Sequence, residues 1–373
     1  MNEVQRPRAR DAGLMLGTME PGPLNAITDV PDVRVGHVTL IEGSGALRRG
    51  VGPVRTGVTA VLPHGGNLFR EKVPAGIFVL NGFGKCFGQE QIEEFGAIES
   101  PVMMTGTMNV GIVADGVAEY MMSLNPDIAV TTSTANALVT ECSDAYLNDM
   151  QGRHVRQQHV REAIGRASVG PVAEGTVGAG TGMSLYGFKG GIGTASRRLP
   201  AELGGYTVGA IVLGNFGRRD QLTIAGVPVG RALADWQPDD SMKDTGSCIV
   251  LLATDAPMLD RALRRLARRA ALGLARTGSI AGNSSGDFIV AFSNALRLPH
   301  DSDELLVSLQ HITESGRLID ALFQASVEAT EEAVINALFR ATTLDGWDGH
   351  IRHALPLDRT LELLGQAGVL RAS

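Results

Sequence analysis

Two short polar stretches hold side chains that could act together as a nucleophile and its supporting groups. In KDTGSCIVLL (243–252) a polar approach ends in Gly246-Ser247, and a strand-forming apolar run begins at the next residue. In SSGDFIVAF (284–292) Ser285 and Asp287 stand just before a second such run. A serine hydroxyl is a weak nucleophile at its ordinary pKa; it needs a base and oriented polar partners before it attacks a carbonyl. Two hydroxyls and a carboxylate suit that chemistry, although Ser-Gly-Asp is equally ordinary turn chemistry. The elements between the two stretches decide whether they meet.

CIVLLAT (248–254) reads as a buried strand. Asp255 is placed to N-cap a helix with Pro257 in its first turn. Leu259, Leu263, Leu266, Ala270 and Leu274 recur every three or four residues and make one apolar stripe. Arg261, Arg264, Arg265, Arg268 and Arg269 lie mostly off it, on a solvated or subunit-contact face. Gly278 closes the helix, and FIVAF (288–292) is the next strand. Two strands joined by one helix run parallel in a shared sheet, so their N-terminal ends lie side by side. Ser247 is thereby predicted beside Ser285 and Asp287.

Further strands are predicted at 33–40, 56–62, 76–80, 127–132, 183–188 and 206–214, with helices at 111–124, 155–167, 316–342 and 358–367. This is an α/β pattern with sheet sandwiched by helices. No composition shift marks a linker, so residues 1–373 are read as one domain. The polar stretch ALADWQPDDSMKDTG (232–246) reads as an exposed loop. Structureless loops of that length usually have a function.

Other motifs are weaker. VGAGTGM (177–183) has Met183 at the third glycine of a dinucleotide fingerprint and no strand before it, and GFKGGIGT (187–194) lacks phosphate-loop spacing. Gly282-Asn283-Ser284-Ser285-Gly286 satisfies the G-x-S-x-G of an esterase nucleophile elbow. Ser284 could recruit His300, His311, His350 or His353, but the elbow needs a strand before the serine and a helix after it. His350 and His353 form H-x-x-H without the glutamate of a zinc-protease helix, so no metal is expected there.

The net charge is −7, which argues against a nucleic-acid partner. Cys86, Cys142 and Cys248 are scattered, odd in number and suited to a reduced cytoplasm. The N-terminal MNEVQRPRARDAGLMLG has no apolar run, which argues against a signal peptide, and no stretch approaches a membrane span. The 47 glycines, about one residue in eight against a usual ~7%, follow no period and suggest tight turns and close backbone approaches around strands.

GPLNAITDVPDVRVGH (22–37), GPVRTGVTAVLP (52–63), GTGM (180–183), FKGGIGTASR (188–197), GNFG (214–217), GSCIVLLATDAP (246–257) and LARRAALGLARTG…GDFIVAFS (266–293) closely resemble the L-aminopeptidase/D-esterase family. This is the β-peptidyl aminopeptidase type of self-processing serine hydrolase with an N-terminal nucleophile. The likeness runs from about residue 6 onward. It implies a four-layer αββα sandwich with the topology shared by these aminopeptidases and ornithine acetyltransferases. It also implies autocleavage at Gly246–Ser247 into a large subunit (1–246) and a small one (247–373). In this likeness Ser247 is the nucleophile and its freed α-amine the base. Ser285 and Asp287 orient that amine, Asn215 is the oxyanion donor, and Glu141 holds the ammonium of a peptide, amide or ester substrate. No cofactor is implied, and the assembly is an oligomer, often four, of processed heterodimers. The sequence departs from the family at Glu141-Cys142-Ser143-Asp144, where Ser143 replaces an expected aromatic. Tyr146, three positions on, could supply the phenol, or the pocket is wider. Cys248, in place of a bulkier aliphatic, is expected to be a buried packing residue. Two other classes stay open on these residues: an acyltransferase, disfavoured by serine in place of threonine at 247, and an uncut binding protein.

Overall fold

The computed structural model describes residues 6–237 and 246–371. Strand β12 (Ser247–Thr254) shows how its layers arise. Its run of apolar residues leaves no polar face, so both faces must be covered. Ile249, Leu251 and Ala253 enter one core, while Cys248, Val250 and Leu252 enter another. The first core lies between two sheets, and the second lies between a sheet and its helices.

The sheet containing β12 has the order β10 (Gly191–Arg198), β11 (Thr207–Asn215), β12, β13 (Gly286–Ser293), β3 (Glu71–Gly82) and β14 (Leu298–Pro299), and β5 (Ala97–Ile98) also pairs with β3. The facing sheet has the order β1 (Arg34–Glu42), β2 (Val54–Leu62), β6 (Val102–Gly106), β7 (Leu138–Cys142) and β4 (Cys86–Phe87). Two hairpins, β8 (Ser184–Leu185) with β9 (Phe188–Lys189) and β15 (Leu344–Asp345) with β16 (Ile351–Arg352), stand apart from both. Helices α5 (Asp260–Arg276) and α6 (Arg317–Arg340) cover the β12 sheet. Helices α2 (Val110–Leu124) and α3 (Gln157–Gly165) cover the facing sheet through a third core that includes Val58, Met103, Val117 and Val160. Helix α1 (Gln89–Phe95) adds Ile92 to the inter-sheet core, while α4 (Val229–Ala232) and α7 (Leu357–Gln366) add Val229 and Leu364 to the α5–α6 core. Three cores between successive layers define the expected αββα sandwich.

Helix α6 is buried almost all round, including Glu328 and Glu332. Fully buried Arg197 reaches both carboxylates, with Nε 3.1 Å from Glu328 and Nη2 2.7 Å from Glu332. From the N-terminal arm, Arg10 reaches Glu332 at 2.9 Å, and the Ala9 N–H donates to Asn336 Oδ1. Breaking a buried ion pair leaves an uncompensated charge, which is strongly destabilising. These contacts therefore pin the arm over α6.

Strand β12, helix α5 and strand β13 form where the periodicity indicates, but other expectations change. Residues 127–132 make a tight turn rather than a strand. The Asp127 carbonyl accepts the N–H groups of Val130, Thr131 and Thr132, and the Asp127 carboxylate pairs with Arg70. Asp255 does not cap α5, which begins at Asp260; its Oδ1 accepts the Thr207 N–H at 2.7 Å, tying β12 to β11. The strand expected at 183–188 divides into β8 and β9 around Tyr186-Gly187. On α5, Arg265 and Arg269 stack over Phe323 of α6 at 5.2 and 4.0 Å, so part of the arginine face is used within the chain. The sequence signals for β6, β7 and β10 are weak, because the first two are short and β10 is rich in small residues. At Gly193 of β10 a Cβ would lie 1.9 Å from the Ala333 carbonyl oxygen, so close packing against α6 excludes a side chain. Of the loop at 232–246, residues 238–245 lie outside the described residues.

Candidate active site

Ser247 opens β12 as a buried residue held between two strand ends. It pairs with Asn215 at the end of antiparallel β11 and with Gly286 at the start of parallel β13. The strand–helix–strand topology thus brings Ser247 beside Ser285 and Asp287. Across the sandwich, the thiol of Cys142 on β7 comes beside Ser247 and donates to the Leu213 carbonyl oxygen at 3.7 Å. Burial pushes the Cys142 and Cys248 thiols well above their usual range, so both are protonated. Cys248, 1% exposed, packs in the helix-side core.

Gly246 is confined by its neighbours. A Cβ there would lie 2.4 Å from the Asn215 carbonyl oxygen and 2.5 Å from Phe216 Cα. Only glycine lets the 246–247 peptide run this close to the end of β11. Asn215 Oδ1 accepts the Ser184 N–H at 2.8 Å, and its Nδ2 has no partner among the described residues. The amide is therefore oriented through its oxygen, with its donor end uncommitted.

On the other side, Ser285 Oγ donates to Asp287 Oδ1 at 2.7 Å. Asn81 Nδ2 donates to Asp287 Oδ2 at 3.2 Å, and to the Ala281 and Gly282 carbonyls at 2.7 and 3.0 Å. The register between β13 and β3 shifts between Asp287 and Phe288. Such bulges re-aim side chains next to reactive sites.

Glu141, 3% exposed, ends the apolar part of β7. Its Oε1 accepts the Lys85 N–H at 2.9 Å, and its Oε2 accepts the Thr107 hydroxyl. Between Glu141 and β13 passes Gly84, where a Cβ would sit 3.2 Å from Gly286 Cα and 3.3 Å from Glu141 Oε1. This backbone approach joins a carboxylate of one sheet to the Ser247–Gly286 pair of the other.

Tyr146 is half-buried. Its ring stacks on His350 at 4.6 Å and 9°, with the Arg352 guanidinium 3.3 Å from its centroid. Arg352 Nε donates to Ser184 Oγ at 2.9 Å, so Tyr146 connects to Asn215 through Arg352 and Ser184. His350 is a packing group here, with Nδ1 3.0 Å from the Tyr146 carbonyl oxygen. Ser284 lies in a turn after α5 and before β13, the reverse of a nucleophile elbow. Among the described residues no three His, Cys, Asp or Glu side chains are grouped to hold a metal ion, and no helix is long and apolar enough to cross a membrane. Asn81, Ser184, Thr107 and Lys85 escape sequence reasoning because their roles arise from contacts distant in the chain.

The chain as a whole is similar to known proteins. The profile described as peptidase family S58 matches residues 25–352. The β-peptidyl aminopeptidase BapA of Sphingosinicella microcystinivorans is 44% identical over 366 residues, covering 95% of this chain and 90% of that protein. The PH0078 protein of Pyrococcus horikoshii OT3 superposes with a TM-score of 0.92 at 51% identity, covering 97% of this chain and 99% of that one. The L-aminopeptidase D-Ala-esterase/amidase of Ochrobactrum anthropi, described as a prototype of the serine aminopeptidases and a variant of the Ntn hydrolase fold, superposes with a TM-score of 0.91 at 39% identity, covering 98% and 100%.

Just beyond β7, Asp144 gives the site a pH signature. Burial pushes its carboxyl up to about 6, against hydrogen bonds from Thr56 and Asn148. Between the ordinary 3.8 and about 6 the folded protein keeps a proton that the unfolded chain has lost. Asp144 therefore favours the fold at low pH, and that contribution is lost as pH rises through this window. Asp144→Asn should flatten the fall in urea-unfolding stability between pH 4 and pH 7; an unchanged slope would count against a protonated Asp144.

Proposed function

The chain belongs to peptidase family S58, and from that premise we propose that it activates itself by cutting the Gly246–Ser247 bond. It is a hydrolase of the serine aminopeptidase type with an Ntn hydrolase fold. Its relatives are named for β-peptidyl aminopeptidase and for L-aminopeptidase and D-Ala-esterase/amidase activities. We carry over what those names share, release of an amino-terminal residue from a peptide, amide or ester. The observation that supports the self-cutting reading most is the seat of Ser247 between Asn215 and the Ser285–Asp287 pair.

In the proposed processing step Ser247 Oγ attacks the Gly246 carbonyl. The 246–247 C–N bond breaks, an ester forms, and the Ser247 nitrogen becomes a free amine. Water then hydrolyses the ester and leaves Gly246 with a carboxylate. A free α-amine has a reference pKa of about 7.7–8.0, so near neutral pH it can accept the proton of its own hydroxyl. Asp287, oriented by Ser285 and Asn81, stabilises the ammonium that results.

In turnover the substrate's ammonium docks on Glu141, and its carbonyl oxygen accepts a hydrogen bond from Asn215 Nδ2. Ser247 Oγ takes the acyl group, the amine of Ser247 passes its proton to the leaving group, and water releases the residue. A donor in the Asn215 position typically contributes about 3 kcal/mol of transition-state stabilisation. Tyr146 forms a wall of the pocket, backed by Arg352 and His350. With Ser143 where the family carries an aromatic, that wall admits a broader first residue. We also propose an oligomer of processed heterodimers in a reducing cytoplasm; three unpaired cysteines suit that compartment.

Intact mass and amino-terminal sequencing test the processing step. Wild type should yield a fragment beginning Ser247-Cys248-Ile249, whereas Ser247→Ala should stay whole and inactive; a cut at another bond contradicts the assignment. Glu141→Ala should raise KM for free-amine substrates at least tenfold, and unchanged kinetics would remove Glu141 from the site.

A further inference from the structure

Glu141 faces a cation before any substrate arrives. Lys85 Nζ lies 3.8 Å from its Oε1, and the two side chains are 57% and 3% exposed. Lys85 thus serves the carboxylate twice. Its backbone N–H fixes the orientation of Oε1, and its ammonium supplies the counter-charge. The two functions separate chemically, because a side-chain substitution leaves the N–H in place. The Thr107 hydroxyl holds the other oxygen independently.

A buried carboxylate without a counter-ion is costly. The ammonium head of Lys85 has no other partner among the described residues. A lysine head is a strongly hydrated point charge on a flexible stem, and the Lys85 side chain, unlike that of Glu141, is largely exposed, so its ammonium can leave the carboxylate for water. A substrate ammonium needs the same carboxylate, and two ammonium ions on one carboxylate repel.

We infer that Lys85 is the resident counter-ion of the substrate's amine subsite. It neutralises Glu141 in the free enzyme, is displaced when a free amino end docks, and so sets the affinity for amine-bearing substrates. This rests on the proposed role of Glu141. The displaced ammonium swings into solvent at the mouth of the site, so it affects binding rather than the acyl-transfer step. A substrate without the amine leaves the Lys85–Glu141 pair intact and gains nothing from its removal.

The test is steady-state kinetics of processed Lys85→Met, Lys85→Arg and Glu141→Ala enzymes. The substrates are a free-amine peptide amide and its des-amino analogue, with processing checked by mass. Lys85→Met should lower KM for the free-amine substrate about fivefold, ~1 kcal/mol of recovered affinity, with kcat within about twofold. Lys85→Arg keeps the cation and should keep the wild-type KM, and the des-amino substrate should gain no affinity from Lys85→Met. If Lys85→Met leaves KM unchanged or raises it while Glu141→Ala raises it, the counter-ion role is wrong and the Glu141 reading stands. If Glu141→Ala leaves the free-amine KM unchanged as well, both fail.

Discussion

Everything at the candidate site depends on one pairing, the parallel register that sets Ser247 of β12 opposite Gly286 of β13. With antiparallel β11 on the other flank, Ser247 is set between Asn215 on one side and Gly286, flanked by Ser285 and Asp287, on the other. Side chains alternate along a strand, so a slip of one residue would turn Ser247 away from the inter-sheet space and bring Cys248 into it. The apolar alternation of β12 forbids that slip. Ile249, Leu251 and Ala253 are committed to the core between the sheets, and Val250 and Leu252 to the core under the helices. Packing of a fully buried strand thereby fixes the position of the one polar residue at its tip.

The second sheet supplies what β12 and its neighbours lack. Glu141 and Cys142 arrive from β7, and the close passage of Gly84 over Gly286 brings them to the Ser247 edge. The site is thus a seam between two sheets. At this seam the Glu141 carboxylate is almost fully buried, while the Lys85 side chain beside it is largely exposed. That environment suits recognition of an ammonium group, and it explains why a lysine is held beside Glu141 in the free state. The uncommitted Nδ2 of Asn215 and the Ser285–Asp287 pair then serve opposite ends of one proposed proton and charge movement.

How much of this was legible in the sequence differs from residue to residue. Strands β12 and β13 were legible because long apolar runs bounded by Gly, Ser and Asp leave few alternatives, and the helix between them forces them parallel. The adjacency of Ser247 to Ser285 and Asp287 followed from that topology alone. Glu141 and Asn215 carry no local signal that separates them from a surface carboxylate and a turn amide; resemblance to a family singled them out. Asn81, Ser184 and Thr107 were hidden because each acts on a residue at least 31 positions away. Asp127 misled for a different reason: its carbonyl gathers three N–H groups, and that turn overrides the β propensity of the residues after it. The small residues of β10 reflect the approach of α6, a tertiary constraint that propensity cannot express.

The most direct test of the account is to trap the acyl group. An activated ester of a free-amine residue is mixed with enzyme, quenched in acid during turnover and mapped by peptide mass spectrometry. The account predicts an acyl ester on the Oγ of a Ser247 whose own amine is free, at the start of a 127-residue fragment (247–373). An acyl group on Ser284, or on an unbroken chain that still turns over substrate, would contradict it.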